Sequence, residues 1–375
     1  MRSTITSRGA RAAAGACALT LTLVACGSES DTAGGDGKTI AGGEETTSLS
    51  FGVTNPDLPG SAYYAAVPTY LEYWTDEGLD VTFDAYNGTG EVMTAVATGK
   101  TDVGSGGTMG AMAAVVNGGA DLKVFYSYIP NNPYWPVVMP DSDIDSLDDL
   151  VGKTVGTFSL AGDGAGLLKG VMEAEGLDPN SVDIVAVGVG AEAYETLKSG
   201  RIAAYIGYDS VYGQIEALGH EIRRIDSPID DFGWLGGIAA PATMIKGQRE
   251  TLVTFGRGLA KAAVFTKANP ECALKIQWEV YPESKPAGVA DDQAVKDGVE
   301  SLMSRLKSQF PVDEQWGRVA ERTVQERIDI AVESGELAKP LPVEEIWDPS
   351  LLDDMNDFDV AEIEKAAADC RMVEG

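Results

Sequence analysis

From Leu49 the chain alternates, LSFGV, and then breaks at Asn55-Pro56. A period of two predicts a half-buried strand running into a loop. Residues 61–78, SAYYAAVPTYLEYWTDEG, carry apolar positions at helical spacing with Gly78 as a stop, and 79–86 alternate again. The same reading gives a helix over 91–99, a strand over 100–105, a helix over 109–119 and a strand over 122–129. After the Asp-rich run 140–152 the alternation restarts: strands at 153–159, 182–188, 201–208 and 220–226, with helices at 162–176, 191–200 and 213–220 between them. From Gln248 onward the pattern is helical. Strand–helix alternation of this kind predicts α/β architecture with open, largely parallel sheets.

One corner occurs twice. Glu91–Gly104, EVMTAVATGKTDVG, and Glu192–Tyr205, EAYETLKSGRIAAY, both run helix, Thr/Ser-Gly-Lys/Arg, strand, and lie 101 residues apart. A crossover between parallel strands needs a helix and a glycine to end it, so the repeat predicts one such crossover in each of two lobes.

A length of 375 residues suits two lobes, and 44% hydrophobic with 23% charged residues is a globular composition. The net charge of −30 excludes nucleic acid as a partner, since its binders need clustered Lys and Arg. Arg2, Arg8 and Arg11 precede an apolar run, Ala12–Ala25, too short to span a bilayer. This is the pattern of a secretory signal over 1–25. Its end, LVAC, resembles a bacterial lipobox, in which Cys26 receives the lipid; an ordinary signal peptide cleaved nearby is the alternative. Residues 26–47 are Gly, Ser, Thr and acid, and read as a flexible tether. Cys17 leaves with the signal, so Cys272 and Cys370 remain in an oxidising compartment, either as a disulfide or as two buried thiols. With no CxxC and a single histidine, no metal site is expected.

The runs GTGEVMTAVATGKTDVGSGG, SLDDLVGKTVGTFSLAGDG, EAEGLDPNSVDIVAV and YETLKSGRIAAYIGYDSVYGQIEALG, and the later ESGELAKPLPVEEIWDPSLLDDMNDFD, resemble NitT/TauT-type substrate-binding proteins of bacterial ABC importers. Those receptors take nitrate, taurine, sulfonates or thiamine-pyrimidine precursors, and the likeness covers about residues 48–360. It implies a two-lobed type II periplasmic-binding-protein fold, each lobe a βα sheet sandwich with the ligand cleft between. Residues 48–138 and 235–375 would form lobe 1, and 139–234 lobe 2. It further implies a monomeric, non-enzymatic receptor without cofactor, lipid-anchored on the outer face of the membrane. Its partners would be a small-molecule ligand, a permease with its cytoplasmic ATPase, and the bilayer through Cys26.

Ligands of open α/β sheets sit outside the carboxyl ends of strands. Those ends supply Thr54 and Asn55 with Tyr63 and Tyr64; Ser105, Gly106, Gly107 and Thr108; Ser127 and Tyr128; Ser159, Leu160 and Ala161; and Tyr205, Tyr208 and Asp209. Trp234 lies near the return crossing. Small hydroxyl residues and glycine before a helix expose N–H donors, and aromatic faces suit a flat ligand. Asp163 and Asp209 are expected to border the cleft, with no Arg or Lys in these loops. That favours a pyrimidine-like ligand bearing N–H donors, with an organic sulfonate or carboxylate such as taurine left open.

Rival classes are weaker. GVGAEA, Gly188–Ala193, matches a dinucleotide fingerprint with Asp209 19 residues beyond Gly190, yet nicotinamide cofactors are not expected outside the cytoplasm. No G-x-S-x-G occurs, and His220 reads as a helix-ending residue. DSDIDS at Asp141 imitates a calcium loop, but Ser146 and Gly152 stand where glycine and glutamate are needed.

Overall fold

A computed structural model describes residues 46–53, 62–158, 160, 163–309, 311, 315–333 and 335–370, without the side chains of residues 163, 217, 230 and 231. The signal segment, Cys26 and nearly all of the tether lie outside these residues. Ten strands are described: β1 (Thr47–Val53), β2 (Leu79–Ala85), β3 (Val103–Gly107), β4 (Leu122–Ile129), β5 (Tyr134–Val138), β6 (Thr154–Thr157), β7 (Asp183–Ala186), β8 (Ala204–Tyr208), β9 (Arg223–Arg224) and β10 (Gly236–Pro241). They form two five-stranded sheets, ordered β2-β1-β3-β10-β4 and β7-β6-β8-β5-β9. Both are mixed: β1, β2 and β3 pair in parallel, as do β6, β7 and β8, whereas β10 and β5 run antiparallel to their neighbours.

Those two antiparallel strands are the elements the pattern did not predict. GGIAAP lacks the branched alternation that marks a strand, and YWPVV contains Pro136. The sequence also assigned 134–138 to lobe 1, but β5 pairs with β8 and β9 in the second sheet. The chain therefore crosses between sheets at 130–133 and returns between β9 and β10. The helix expected over 61–78 is shorter, Ala66–Tyr70, because Glu72 turns to φ 57° before the 3₁₀ turn Thr75–Glu77. The repeated corner is present twice. The helices Thr89–Ala97 and Gly190–Lys198 are each followed by a left-handed glycine, Gly99 at φ 70° and Gly200 at φ 73°, before β3 and β8. A side chain resists that conformation, which is why glycine stands at both turns.

Alternation sorts the side chains of each strand. In β5, Val138 joins one apolar cluster with Val155, Leu167 and Ile206, while Val137 joins the opposite cluster with Tyr205 and Tyr212. The larger core packs Leu49, Phe51 and Val53 of β1 against the C-terminal helices, with Trp74 stacked on Phe255 at 5.5 Å. The helix Asp291–Lys307 serves two masters. Leu302 and Leu306, four apart, enter this core, while Ser304 and Arg305 turn toward the second sheet.

A disulfide joins Cys272, in the helix Pro270–Val280, to Cys370, just past the helix Val360–Asp369. It closes a loop of 98 residues. On the chain-entropy model such closure contributes about 4–5 kcal/mol. Denaturant unfolding with and without reductant should show a loss of that order, and two titratable thiols in the exported, denatured protein would contradict the bond.

Candidate functional site

The two crossing segments meet backbone to backbone. Trp234 N donates to Pro130 O at 2.8 Å and Leu235 N to Ile129 O at 3.0 Å. A Cβ on Gly233 would stand 2.3 Å from Pro130 O, so only glycine permits this approach. Asn132 braces the crossing, donating to Ile229 O at 2.5 Å and accepting from Tyr134 N at 2.9 Å. Trp234 itself has φ 55° and a fully buried indole set edge-on to Trp347, so it is a core anchor of the crossing, not a cleft wall.

Beside this crossing a cavity of about 1000 Å³ is lined from both sheets. The first sheet's side contributes Thr89, Gly107, Met109 and Gly110; the second contributes Tyr134, Phe158, Leu160, Gly166 and Lys169. That volume is at the upper end of the range for small-molecule sites. Leu160 is 61% exposed, an apolar lip facing solvent.

The corner after β3 differs from expectation in its donors. Thr108 is buried: its hydroxyl donates to Trp234 O at 2.5 Å and its N–H to Leu235 O at 3.2 Å. Gly107 N donates to Thr89 Oγ1 at 3.0 Å, and Ser105 points its hydroxyl at Gly52 O. A Cβ on Gly106 would strike Thr89 at 2.5 Å, so this glycine seats Thr89 and is not an approach path for a ligand. Ser105, Gly106 and Thr108 are thus scaffold. Gly107, Met109 and Gly110 are the accessible part of the corner.

Aromatic residues gather at both halves. Tyr63 is buried and donates to Tyr128 O at 3.4 Å; Tyr64 packs edge-on to Tyr63 at 5.2 Å and tilts against Tyr128 at 5.9 Å. On the second sheet Tyr208 lies against Tyr134 at 5.8 Å and Phe158 at 5.3 Å, both cavity residues. Tyr134 and Phe158 were not singled out in the sequence; both flank strand ends, but one lies on an unpredicted strand. Ser127 is buried with its hydroxyl donating to Gly236 O, and Tyr205 donates to Gly188 O at 3.0 Å from inside the second sheet's core. These two are structural. Asn55, Thr54, Ser159 and Ala161 lie outside the described residues.

Asp209 is the largest departure. It is 2% exposed and its carboxylate is already engaged: Ser308 Oγ donates to Oδ2 at 2.8 Å, Ser210 N to Oδ1 at 2.6 Å, and Arg305 Nη2 lies 3.5 Å from Oδ1. Ser304 Oγ donates to the Asp209 carbonyl at 2.7 Å. The residue clamps the helix Asp291–Lys307 to the second sheet and has no free face for a ligand. The clamp also places the Arg305 guanidinium 5.4 Å from the Tyr208 ring centroid. No sequence motif marks this cation, because it lies 95 residues beyond Ser210. The same burial disposes of a dinucleotide site at Gly188–Ala193, whose acid would have to reach a ribose.

With this geometry in view, the comparisons are specific. A family model described as NMT1/THI5 like matches residues 61–273. The chain belongs to the NMT1/THI5-like family. No curated protein matches it in sequence. Among solved structures, the aliphatic sulphonate binding protein SsuA of Escherichia coli is 19% identical at TM-score 0.58, covering 81% of this chain and 92% of that one. The alkanesulfonate-binding protein SsuA of Xanthomonas axonopodis pv. citri, bound to MOPS, is 16% identical at TM-score 0.57, covering 81% and 99%. The desulfurization enzyme DSZB is 12% identical at TM-score 0.53, covering 82% and 98%. This NMT1/THI5-like chain therefore has the periplasmic-binding-protein fold, as its resemblance to NitT/TauT-type receptors implied, and that fold also carries an enzyme.

Burial pushes the Asp209 carboxyl above its ordinary value of 3.8, against the opposing pull of Arg305, Ser308 and the Ser210 amide. A folded-state value above the unfolded one means that ionisation weakens the fold. The contribution is full below the unfolded value and is lost as pH rises through the folded value. The stability of Asp209→Asn relative to wild type, measured by urea unfolding, should therefore rise as pH increases from 3.8 toward neutrality. A difference that falls over that range would contradict the assignment.

Proposed function

We propose that this protein is the extracytoplasmic solute receptor of an ABC importer. It binds a small organic molecule with a flat or apolar body in the cleft between two lobes and delivers it to a membrane permease. The observation that carries this reading is a cavity lined by strand-to-helix corners of both sheets, Gly107, Met109 and Gly110 on one side and Tyr134, Phe158 and Leu160 on the other. A ligand touching both sides gains from bringing them together, and hinge closure is the established means in binding proteins. The two crossing segments at Pro130 and Trp234 would be the hinge. The sulfonate receptors among the structural neighbours support an organic anion as ligand, and the engaged Asp209 removes the argument for a donor-bearing pyrimidine.

Neither the two described cysteines nor the histidine lines this cavity. Cys272 and Cys370 are bonded to each other, and His220 stacks on Tyr194 at 3.9 Å, on the helix Gly190–Lys198. These positions favour a receptor over the enzymatic use of the fold. A thermal-shift screen of sulfonates, carboxylates, pyrimidines and taurine tests the reading, because a ligand specific to the folded form raises the melting temperature by mass action. Tyr208→Ala should then weaken the ligand found by about 5- to 30-fold through lost ring contact. Full affinity in Tyr208→Ala would place the ligand outside this cleft.

Retention at the outer face of the membrane would come through Cys26. A diacyl anchor holds firmly where a single chain does not. Cys26→Ala should move the protein from the membrane fraction to the medium or leave uncleaved precursor, and an unchanged membrane fraction would exclude a lipid on this cysteine.

A further inference from the structure

We propose that Arg305 is the anion-pairing residue of the cleft, a specificity determinant supplied to the aromatic site by the C-terminal helix Asp291–Lys307. This rests on the receptor reading above and names the charge its ligand must carry.

Arg305 is held at one corner only. Nη2 lies 3.5 Å from Asp209 Oδ1 and 3.5 Å from Ser210 Oγ, both long contacts. The Asp209 oxygens have shorter partners, Ser308 Oγ at 2.8 Å and Ser210 N at 2.6 Å, so the carboxylate is hydrogen-bonded without drawing the guanidinium in. Among the described residues Nη1 and Nε of Arg305 have no hydrogen-bond or ion-pair partner, and the side chain is 20% exposed. A guanidinium fixed on one nitrogen with an open edge is preorganised for an oxyanion, which it meets in a fork of parallel N–H bonds.

Its position is also set by the site. The guanidinium sits over Tyr208, whose ring touches Tyr134 and Phe158 of the cavity wall. Arg305 therefore stands over the aromatic group of the second sheet. Ser304 and Ser308, bonded to Asp209, lock the helical turn that carries it. An anionic head would pair with the open edge while an aromatic or apolar body lay against Tyr208 and Phe158. Lys169, elsewhere on the cavity wall, has no such aromatic neighbour or clamp among the described residues.

The test compares 4-toluenesulfonate with its neutral counterpart, 4-tolyl methyl sulfone, by calorimetric titration of the full chain. Wild type should prefer the sulfonate. Arg305→Met should lose sulfonate affinity by about 10- to 150-fold with little change for the sulfone, and Arg305→Lys should recover part of it. Circular dichroism and an intact disulfide would establish folding of each variant. Equal binding of sulfonate and sulfone by wild type, which needs no variant, would overturn the proposal and leave a receptor for neutral solutes. Undiminished sulfonate affinity in folded Arg305→Met would overturn it as well. Failure of wild type to bind either probe or any solute of the wider screen would overturn the receptor reading with it.

Discussion

The close passage of two backbones at Pro130 and Gly233 is the constraint on which the rest of the molecule depends. Two sheets are joined by two strands of chain, and those strands hydrogen-bond to each other through Trp234 and Leu235. The contact has no room for a side chain at 233. It is tied to the cleft directly, since Thr108, first residue of the helix Thr108–Val116, spends both its hydroxyl and its N–H on residues 234 and 235. The corner after β3 is consequently fixed to the crossing. What it presents outward is its second and third residues, Met109 and Gly110. If the crossing is the hinge of the proposed receptor, a corner anchored there would let a small rotation alter the cavity width without disturbing either core.

The second sheet is governed by a different interaction, the burial of Asp209. Removing a carboxylate from water is costly unless its lone pairs are met, and here the Ser308 hydroxyl and the Ser210 amide meet them with Arg305 alongside at 3.5 Å. Arg305 and Ser308 lie at the end of the helix Asp291–Lys307, whose Ser304 also donates to the Asp209 carbonyl and whose apolar face belongs to the first core. The C-terminal segment is therefore a third connection between the sheets, polar where the others are backbone. Its consequence, on the proposal above, is chemical: it sets Arg305 beside a cleft whose wall already holds Lys169.

The α/β architecture was legible because strand and helix periods are strong over five to ten residues, and the repeated Gly99 and Gly200 turns could be read as crossovers. β5 and β10 were not, since Pro136 and the small residues of GGIAAP are set by tertiary packing and carry no local period. At the site, Tyr208 and Gly107 were legible as strand ends. Ser105, Thr108 and Asp209 have the same local signature but turn inward, a distinction made by partners such as Trp234 and Ser308 that lie about a hundred residues away. Arg305 had no signal at all: its position follows from a helix whose polar face is defined only by what it packs on.

The central claim is that the two sheets close on a ligand about the Pro130–Trp234 crossing. Spin labels at Thr98→Cys and Ser199→Cys, the exposed ends of the two repeated helices, report that motion by pulsed dipolar spectroscopy. Adding a saturating ligand should shorten and narrow the distance distribution, and an unchanged distribution with ligand demonstrably bound would contradict closure.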